Sequence, residues 1–95
     1  MGEILSVAIY EPLPGLEQDS LATMGQLLQT LSAAGFSRDL LYKEKSQYVL
    51  LRYWTSEEAR RAAHEHPEVQ RCWAKLGNEI RIVKVFEVLE TVELS

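Results

Sequence analysis

The sequence predicts one α+β domain over residues 1–95, with its elements in the order β-α-β-β-α-β. Three observations support this prediction. Four short segments are rich in β-branched and aromatic residues, as strands are. Two longer segments repeat apolar residues at helical spacing, and Gly, Pro or polar turns separate the segments. This order is that of the ferredoxin-like unit, a four-stranded antiparallel sheet with both helices on one face and strands one and three at its centre.

The strands follow from alternation, because successive side chains of a strand point to opposite faces. The predicted strands are residues 4–10, 39–45, 48–54 and 80–89. In the first, third and fourth strands both faces are apolar. In the third, Val49, Leu51 and Tyr53 alternate with Tyr48, Leu50 and Trp54, and in the fourth, Val83, Val85 and Leu89 alternate with Ile80, Ile82, Phe86 and Val88.

The first helix is predicted from apolar residues at helical spacing between Leu21 and Leu31. Asp19 or Ser20 is expected as its N-cap, and Gly35 as its stop.

The second helix is predicted to be broken. Thr55 and Glu58 form a capping-box pattern that opens it. Pro67 disfavours helical geometry at His66 and suits the first position of a new helix, so a kink or interruption is expected there. Gly77 is the predicted stop.

Two helices can cover only one face of the sheet, although its strands are apolar on both. About eight large side chains at roughly 1.5–3 kcal/mol each would leave on the order of 10–20 kcal/mol of burial unused. That is comparable with the whole stability of a small domain. An exposed patch of this kind marks a partner surface, most often for a second copy of the chain. The sequence therefore predicts a homodimer packed sheet against sheet.

Composition excludes several classes of protein. The formal charge of −4 argues against a nucleic-acid partner, and Arg60, Arg61 and Arg71 are interleaved with Glu57, Glu58 and Glu68. Residues 20–37 lack charges but carry polar side chains at intervals, so they predict an amphipathic helix and no membrane association.

Cys72 is the one cysteine, which excludes an intrachain disulfide and suits a core position. The N-terminal residues lack the basic start of a secretory signal. A cytoplasmic location is therefore expected.

Four stretches carry a resemblance to a known family. They are Trp54 to Ala59 (WTSEEA), His64, His66 to Val69 (HPEV) and Val85 to Val88 (VFEV). In these the chain resembles the antibiotic biosynthesis monooxygenase-like domains of the dimeric α+β barrel superfamily, over nearly its whole length. The resemblance implies a ferredoxin-like fold and a dimeric barrel.

The resemblance also implies a choice of activities. The haem-degrading branch has an Asn on strand one, a Trp early in the second helix and a haem-ligating His later, whereas this chain has Ser6 and Ala8, then His64 early and Trp73 late. The cofactor-independent monooxygenases fit better. They imply an aromatic or quinol substrate, held between sheet and helices, that itself reduces oxygen without metal or flavin.

Five residues are the candidates for that site. His64 and His66 are the candidate acid or base groups, and Tyr53, Trp54 and Trp73 are the candidate substrate-binding residues. The histidines lie about 200° apart around a helix and no third ligand has suitable spacing, so no metal site is predicted. His66 also fits a structural role, as a partly buried residue at the helix break.

Two functions remain open on the sequence alone. One is the oxygenase; the other is a non-catalytic dimeric domain that binds a hydrophobic small molecule or only assembles. An open pocket with a histidine and a tyrosine pointing in would favour the enzyme, and a filled interior would remove its site.

Arg52 lies in the middle of an apolar strand. It is expected to pair with a carboxylate, Glu11, Glu44 or Glu87.

Overall fold

The structure is a computed structural model that describes residues 3–94. Its elements follow the predicted order, with the second helix divided into two. They are β1 (Ile4–Pro12), α1 (Glu17–Ala33), β2 (Ser37–Glu44), β3 (Gln47–Trp54), α2 (Glu57–His64), α3 (Pro67–Leu76) and β4 (Ile80–Leu89).

The four strands form one antiparallel sheet in the order β2-β3-β1-β4. The first and third strands are therefore central, as predicted, and the ferredoxin-like α+β fold is confirmed. The hairpin between β2 and β3 turns through Lys45 and Ser46, and Lys45 has a left-handed φ of 56°.

The helices cover one face of the sheet, and the hydrophobic core lies between the two layers. Tyr48, Leu50, Arg52 and Trp54 alternate along β3 as its buried residues, and Tyr10 of β1 lies beside Tyr48. The helices contribute Met24, Leu27, Leu31, Val69, Cys72 and Leu76 to the same core. Cys72 is buried as expected.

The predicted break in the second helix lies at His66. This residue is extended, with φ −82° and ψ 122°, as the restriction before Pro67 requires. Its Nδ1 accepts from the backbone N–H of Val69 at 3.4 Å, so the imidazole caps α3.

The N-cap of α2 differs from the prediction by one residue. Ser56 Oγ accepts from Ala59 N at 3.0 Å, so serine caps the helix. Thr55 Oγ1 instead donates to the carbonyl oxygens of Gly35 and Phe36, at 3.0 and 3.2 Å, and ties the end of β3 to the turn after α1.

The start of α1 also differs from the prediction. The helix begins at Glu17, two or three residues before the expected caps, and Leu16 at its start makes no side-chain cap.

Within the described range of the chain, no helix covers the opposite sheet face. Its side chains include Val7 and Ile9 of β1 and Leu51 and Tyr53 of β3, all half-buried. The faces predicted for β4 are partly wrong, because two register shifts against β1 change the alternation. Ile82 lies opposite Tyr10 on the helix face, whereas Phe86, predicted to share a face with Ile82, lies opposite Val7 on the bare face.

Candidate functional site

A cavity lies between the sheet and the helices and has two adjoining lobes. The first, of about 210 Å³, is lined by Ser6, Trp54, Arg60, His64 and Glu87, among others. The second, of about 370 Å³, is more apolar and is lined by Tyr10, Met24, Leu27, Leu76, Ile80 and Ile82, among others. Ala8, Leu50, Arg52 and Trp73 border both lobes. The interior is therefore open, with a histidine and a tyrosine in its walls.

The break at His66 creates the contact between His64 and Trp73. In a continuous helix these residues, nine positions apart, would lie about 180° around the axis and roughly 13 Å along it. With the chain redirected at Pro67, their ring centroids lie 4.9 Å apart and their planes at 54°. Two residues that a single helix would separate thus form one wall of the first lobe.

The tautomer of His64 follows from its hydrogen bond. The Nδ1 atom lies 2.8 Å from the carbonyl oxygen of Arg60. Because a carbonyl oxygen can only accept, Nδ1 carries the proton, and in the neutral ring Nε2 has a free lone pair. His64 is exposed at the rim of the lobe, so this nitrogen can accept a proton from a bound molecule.

Trp54 is held against the strands by a short chain of hydrogen bonds. Its Nε1 donates to Ser6 Oγ at 3.0 Å, and Ser6 Oγ donates to the carbonyl oxygen of Glu87. The Arg60 guanidinium, on α2, lies 3.5 Å from the Glu87 carboxylate, on β4. The indole therefore has a fixed orientation, and an ion pair joins α2 to β4 beside the cavity.

Arg52 pairs with Asp39 and with none of the three carboxylates predicted for it. Its Nε donates to Asp39 Oδ2 at 2.5 Å, and Ser37 Oγ donates to the other Asp39 oxygen at 2.7 Å. The expectation of Glu11, Glu44 or Glu87 is wrong, because Asp39 lies directly opposite Arg52 in β2 and on the same face. Glu11 instead pairs with Arg81.

Tyr10 contributes a buried phenol to the second lobe. Its ring stacks on Tyr48, with centroids 5.4 Å apart and planes at 14°. Burial, with a smaller contribution from Tyr48, raises the pKa of Tyr10 to about 12. The phenol is therefore neutral at physiological pH.

Three of the five predicted site residues come together, and two do not. Trp54, His64 and Trp73 line the first lobe. Tyr53 lies on the bare sheet face, under the Arg38 guanidinium, because it alternates with Trp54. His66 lies at the helix break, with its ring edge against Phe36.

Arg52, Arg60 and Tyr10 were not among the predicted site residues. Strand alternation could have identified Tyr10 and Arg52, since both lie on the face of β1 and β3 that carries Trp54. Arg60 gives no such signal, because its position depends on where α2 lies relative to β4.

Among residues 3–94, no three His, Cys, Asp or Glu side chains lie together in a way that could hold a metal ion. No helix in the same range has the length and apolarity needed to cross a bilayer.

No protein-family model matches the sequence, and no curated protein matches it at a significant level. Solved structures do match it, over nearly its full length. The cofactor-independent oxygenase SnoaB from Streptomyces nogalater is 20% identical with a TM-score of 0.77, covering 97% of this chain and 98% of its own.

Two other structures agree. Rv0793 from Mycobacterium tuberculosis is 20% identical with a TM-score of 0.81, and 98% of each chain is covered. A Chloroflexus aurantiacus protein, provisionally named an antibiotic biosynthesis monooxygenase, is 13% identical with a TM-score of 0.77, covering 98% of this chain and 97% of its own. At the level of the fold, the resemblance to antibiotic biosynthesis monooxygenase-like domains is therefore confirmed.

Proposed function

We propose that the cavity binds an aromatic phenol or quinol, and that the protein oxidises it with molecular oxygen as a cofactor-independent monooxygenase. The observation that carries the proposal is His64, whose Nε2 lone pair is available at the rim of a cavity walled by Trp54 and Trp73. The fold shared with SnoaB, itself described as a cofactor-independent oxygenase, supports the same activity.

The size and lining of the cavity suit such a substrate. A cavity of about 150 Å³ is enough to hold benzene, and both lobes are larger than that. Indole rings offer flat faces against which an aromatic ring can pack. The apolar second lobe provides a place for the rest of a fused-ring molecule.

The proposed chemistry needs one base and a substrate that supplies all the electrons. Nε2 of His64 accepts the phenol proton, and the phenolate transfers an electron to oxygen. The two radicals join through a new carbon–oxygen bond, and the peroxide takes the proton back. His64 then removes the hydrogen from that carbon, the oxygen–oxygen bond breaks, and the leaving hydroxide takes the proton to become water. One oxygen atom becomes the new carbonyl, and no external reductant is consumed.

The test is oxygen uptake with a panel of naphthols and quinols, with isotopically labelled oxygen to follow its incorporation into product. We expect His64→Ala to lower the rate by about 100-fold or more, the usual contribution of a general base. His66→Asn is the matched control, since asparagine also caps helices and His66 lies outside the cavity lining. Its rate should stay near that of the parent.

Two results would contradict the proposal. One is the absence of protein-dependent oxygen uptake across the whole panel. The other is an equal loss of rate in His64→Ala and His66→Asn, which would indicate a general loss of structure. If naphthols bind without being oxidised, the non-catalytic ligand-binding domain becomes the better description.

We further propose that two copies of the chain pack sheet against sheet. The support is the bare face, where Leu40 of β2 and Phe86 and Leu89 of β4 are 42%, 39% and 39% exposed. These residues adjoin the half-buried Val7 and Leu51. A second copy presents an identical apolar face, and a two-fold axis would bury both at once.

A further inference from the structure

We propose that the guanidinium of Arg52, which lies in the wall common to both lobes of the cavity, binds the ionised phenol oxygen of the substrate. The inference rests on the proposed function, since it identifies the part of the substrate that the cavity recognises. It adds a specificity-determining residue and a chemical requirement: the ligand must carry a phenol oxygen on its aromatic ring.

Arg52 has a buried N–H group without an acceptor in the described part of the chain. Arg52 is 8% exposed, and burying a guanidinium is costly unless its N–H groups are paired. Nε is bonded to Asp39, but Nη2 is buried and has no acceptor among the described residues. A guanidinium carries five N–H donors, so bonding to Asp39 leaves donors available. A buried cation with an unused donor beside a cavity indicates a ligand oxygen.

Arg52 lies where the two lobes of the cavity meet. Arg52 borders both lobes, between Leu50 and Trp54 along β3, and its Cζ lies 5.4 Å from the centroid of the Trp54 ring. An aromatic ring lying across the two lobes would pass this guanidinium. A charge-assisted hydrogen bond from a guanidinium as buried as that of Arg52 is stronger than the same bond in water.

The other charged and titratable groups around the cavity already have partners or are neutral. Arg60 is committed to Glu57 and Glu87, at 3.1 and 3.5 Å. His64 uses its Nδ1 proton on a backbone carbonyl. The remaining groups are the Tyr10 phenol, neutral and in the second lobe, and Asp39, bonded by Ser37 and Arg52. Among these groups, Arg52 is the cation with a buried N–H group that has no acceptor among residues 3–94.

A phenol fits this donor better than a carboxylate does. Asp39 already balances the charge of Arg52 from the β2 side, with 2% of its side chain exposed. A carboxylate would bring a second full charge and two oxygens to desolvate. A phenol brings one oxygen, enters neutral and develops charge only when its proton leaves. Arg52 would then stabilise the anion that reacts with oxygen.

The experiment uses 4-nitro-1-naphthol, under anaerobic conditions, with the full chain. The neutral and ionised forms of this probe absorb at different wavelengths, and the nitro group blocks the carbon at which oxygen would add. The pKa of the bound probe is read from absorbance, and binding from quenching of Trp54 and Trp73. We expect the pKa of the bound probe to fall by about one unit or more, which is tenfold tighter binding of the ionised form.

Three variants distinguish a role of Arg52 in binding the phenol oxygen from a purely structural role. Arg52→Met combined with Asp39→Asn removes the pair without leaving a lone buried charge, and should raise the pKa of the bound probe above that of the free probe. Asp39→Asn alone leaves the positive charge of Arg52 without its carboxylate partner and should lower the pKa of the bound probe further. Arg52→Lys keeps the charge but lacks Nη2 and should shrink the shift, which provides a test if the double variant does not fold. A purely structural role would not move the pKa in opposite directions.

Three outcomes overturn the inference: no binding of the probe, a pKa of the bound probe that does not depend on Arg52, or 1-naphthoate binding more tightly than the probe in an Arg52-dependent way. Because the probe cannot be oxidised at the blocked carbon, the result does not depend on turnover. An Arg52-dependent shift without oxygen uptake on the naphthol panel would support Arg52 as the residue that binds the phenol oxygen and would reject the oxygenase activity. Oxygen uptake with no Arg52-dependent shift would support the oxygenase activity and reject this role of Arg52.

Discussion

Tyr10 and Arg52 lie on the helix-covered face of the sheet, and each has a buried polar atom without a partner among residues 3–94. The two cases have different consequences. The Arg52 group is charged and borders the cavity, and we propose that a ligand oxygen pairs with it. The Tyr10 hydroxyl is neutral and costs only the desolvation of one hydroxyl, which is roughly 1–3 kcal/mol.

Replacing Tyr10 with Phe should therefore not lower the free energy of unfolding near neutral pH. The ring stacking on Tyr48 is kept, and a buried hydroxyl without a partner is removed. Urea unfolding followed by circular dichroism measures the difference. A loss of more than about 1 kcal/mol would show that the hydroxyl makes a stabilising bond.

The same residue makes stability fall at alkaline pH. The ordinary pKa of tyrosine is 10.0, and burial raises the pKa of Tyr10 to about 12. Between these values the unfolded chain has lost a proton that the folded chain keeps, so the free energy of unfolding falls as the pH rises. At about pH 11 the loss due to Tyr10 is roughly 1 kcal/mol. Tyr10→Phe should lose less stability than the parent between about pH 9 and about pH 11, and equal losses would contradict this.

At the scale of elements, the junction of α2 and α3 determines one wall of the cavity. Pro67 ends helical geometry at His66, and the imidazole then caps the next helix. The two predicted histidines thus have different environments, although they are two positions apart. The break itself could be predicted from Pro67, but the 4.9 Å contact between His64 and Trp73 could not, because it depends on the angle between the two helices.

The start of α2 offers a direct test of an element boundary. Ser56 accepts from the Ala59 N–H at 3.0 Å, so Ser56→Ala leaves that donor without its cap. We expect a loss of about 1 kcal/mol in the free energy of unfolding. Ser46→Ala, in the exposed hairpin turn, is the matched control and should change stability by less than about 0.5 kcal/mol. Equal effects at both positions would contradict the assignment of Ser56 as the cap.

At the scale of the whole molecule, the chain is a slab with extents of 46, 32 and 16 Å. One sheet and one helix layer account for the thin dimension, so residues 3–94 place no third layer on the bare face. Its apolar side chains are what the proposed dimer would bury.

Substitution of Phe86 by Glu should therefore shift the protein from dimer to monomer at micromolar concentration, measured by sedimentation. Phe86 is 39% exposed on the bare face, and a buried unpaired carboxylate there would strongly disfavour association. Leu21→Glu is the matched control, because Leu21 is 36% exposed but lies on α1. A parent protein that sediments as a monomer, or a Phe86→Glu variant that stays dimeric, would contradict the proposed interface.

Patterns within single segments were enough to predict the order of elements, the antiparallel sheet with its central strands and the break at His66. They also predicted that Trp54 shares a sheet face with Tyr48 and Leu50. These features depend on local rules: alternation, helical spacing, and the geometry of Pro and Gly. The same alternation also separates Tyr53 from Trp54, so the sequence already contained the reason why they do not share a cavity.

The tertiary structure alone decided the rest of the site. Asp39 meets Arg52 because of the register between β2 and β3. Ile82 and Phe86, predicted to share one face, lie on opposite faces because of a register shift between β4 and β1. His64 meets Trp73 because two helix segments pack at a particular angle. Register and packing angle are properties of contacts between distant segments, and a pattern within one segment does not encode them.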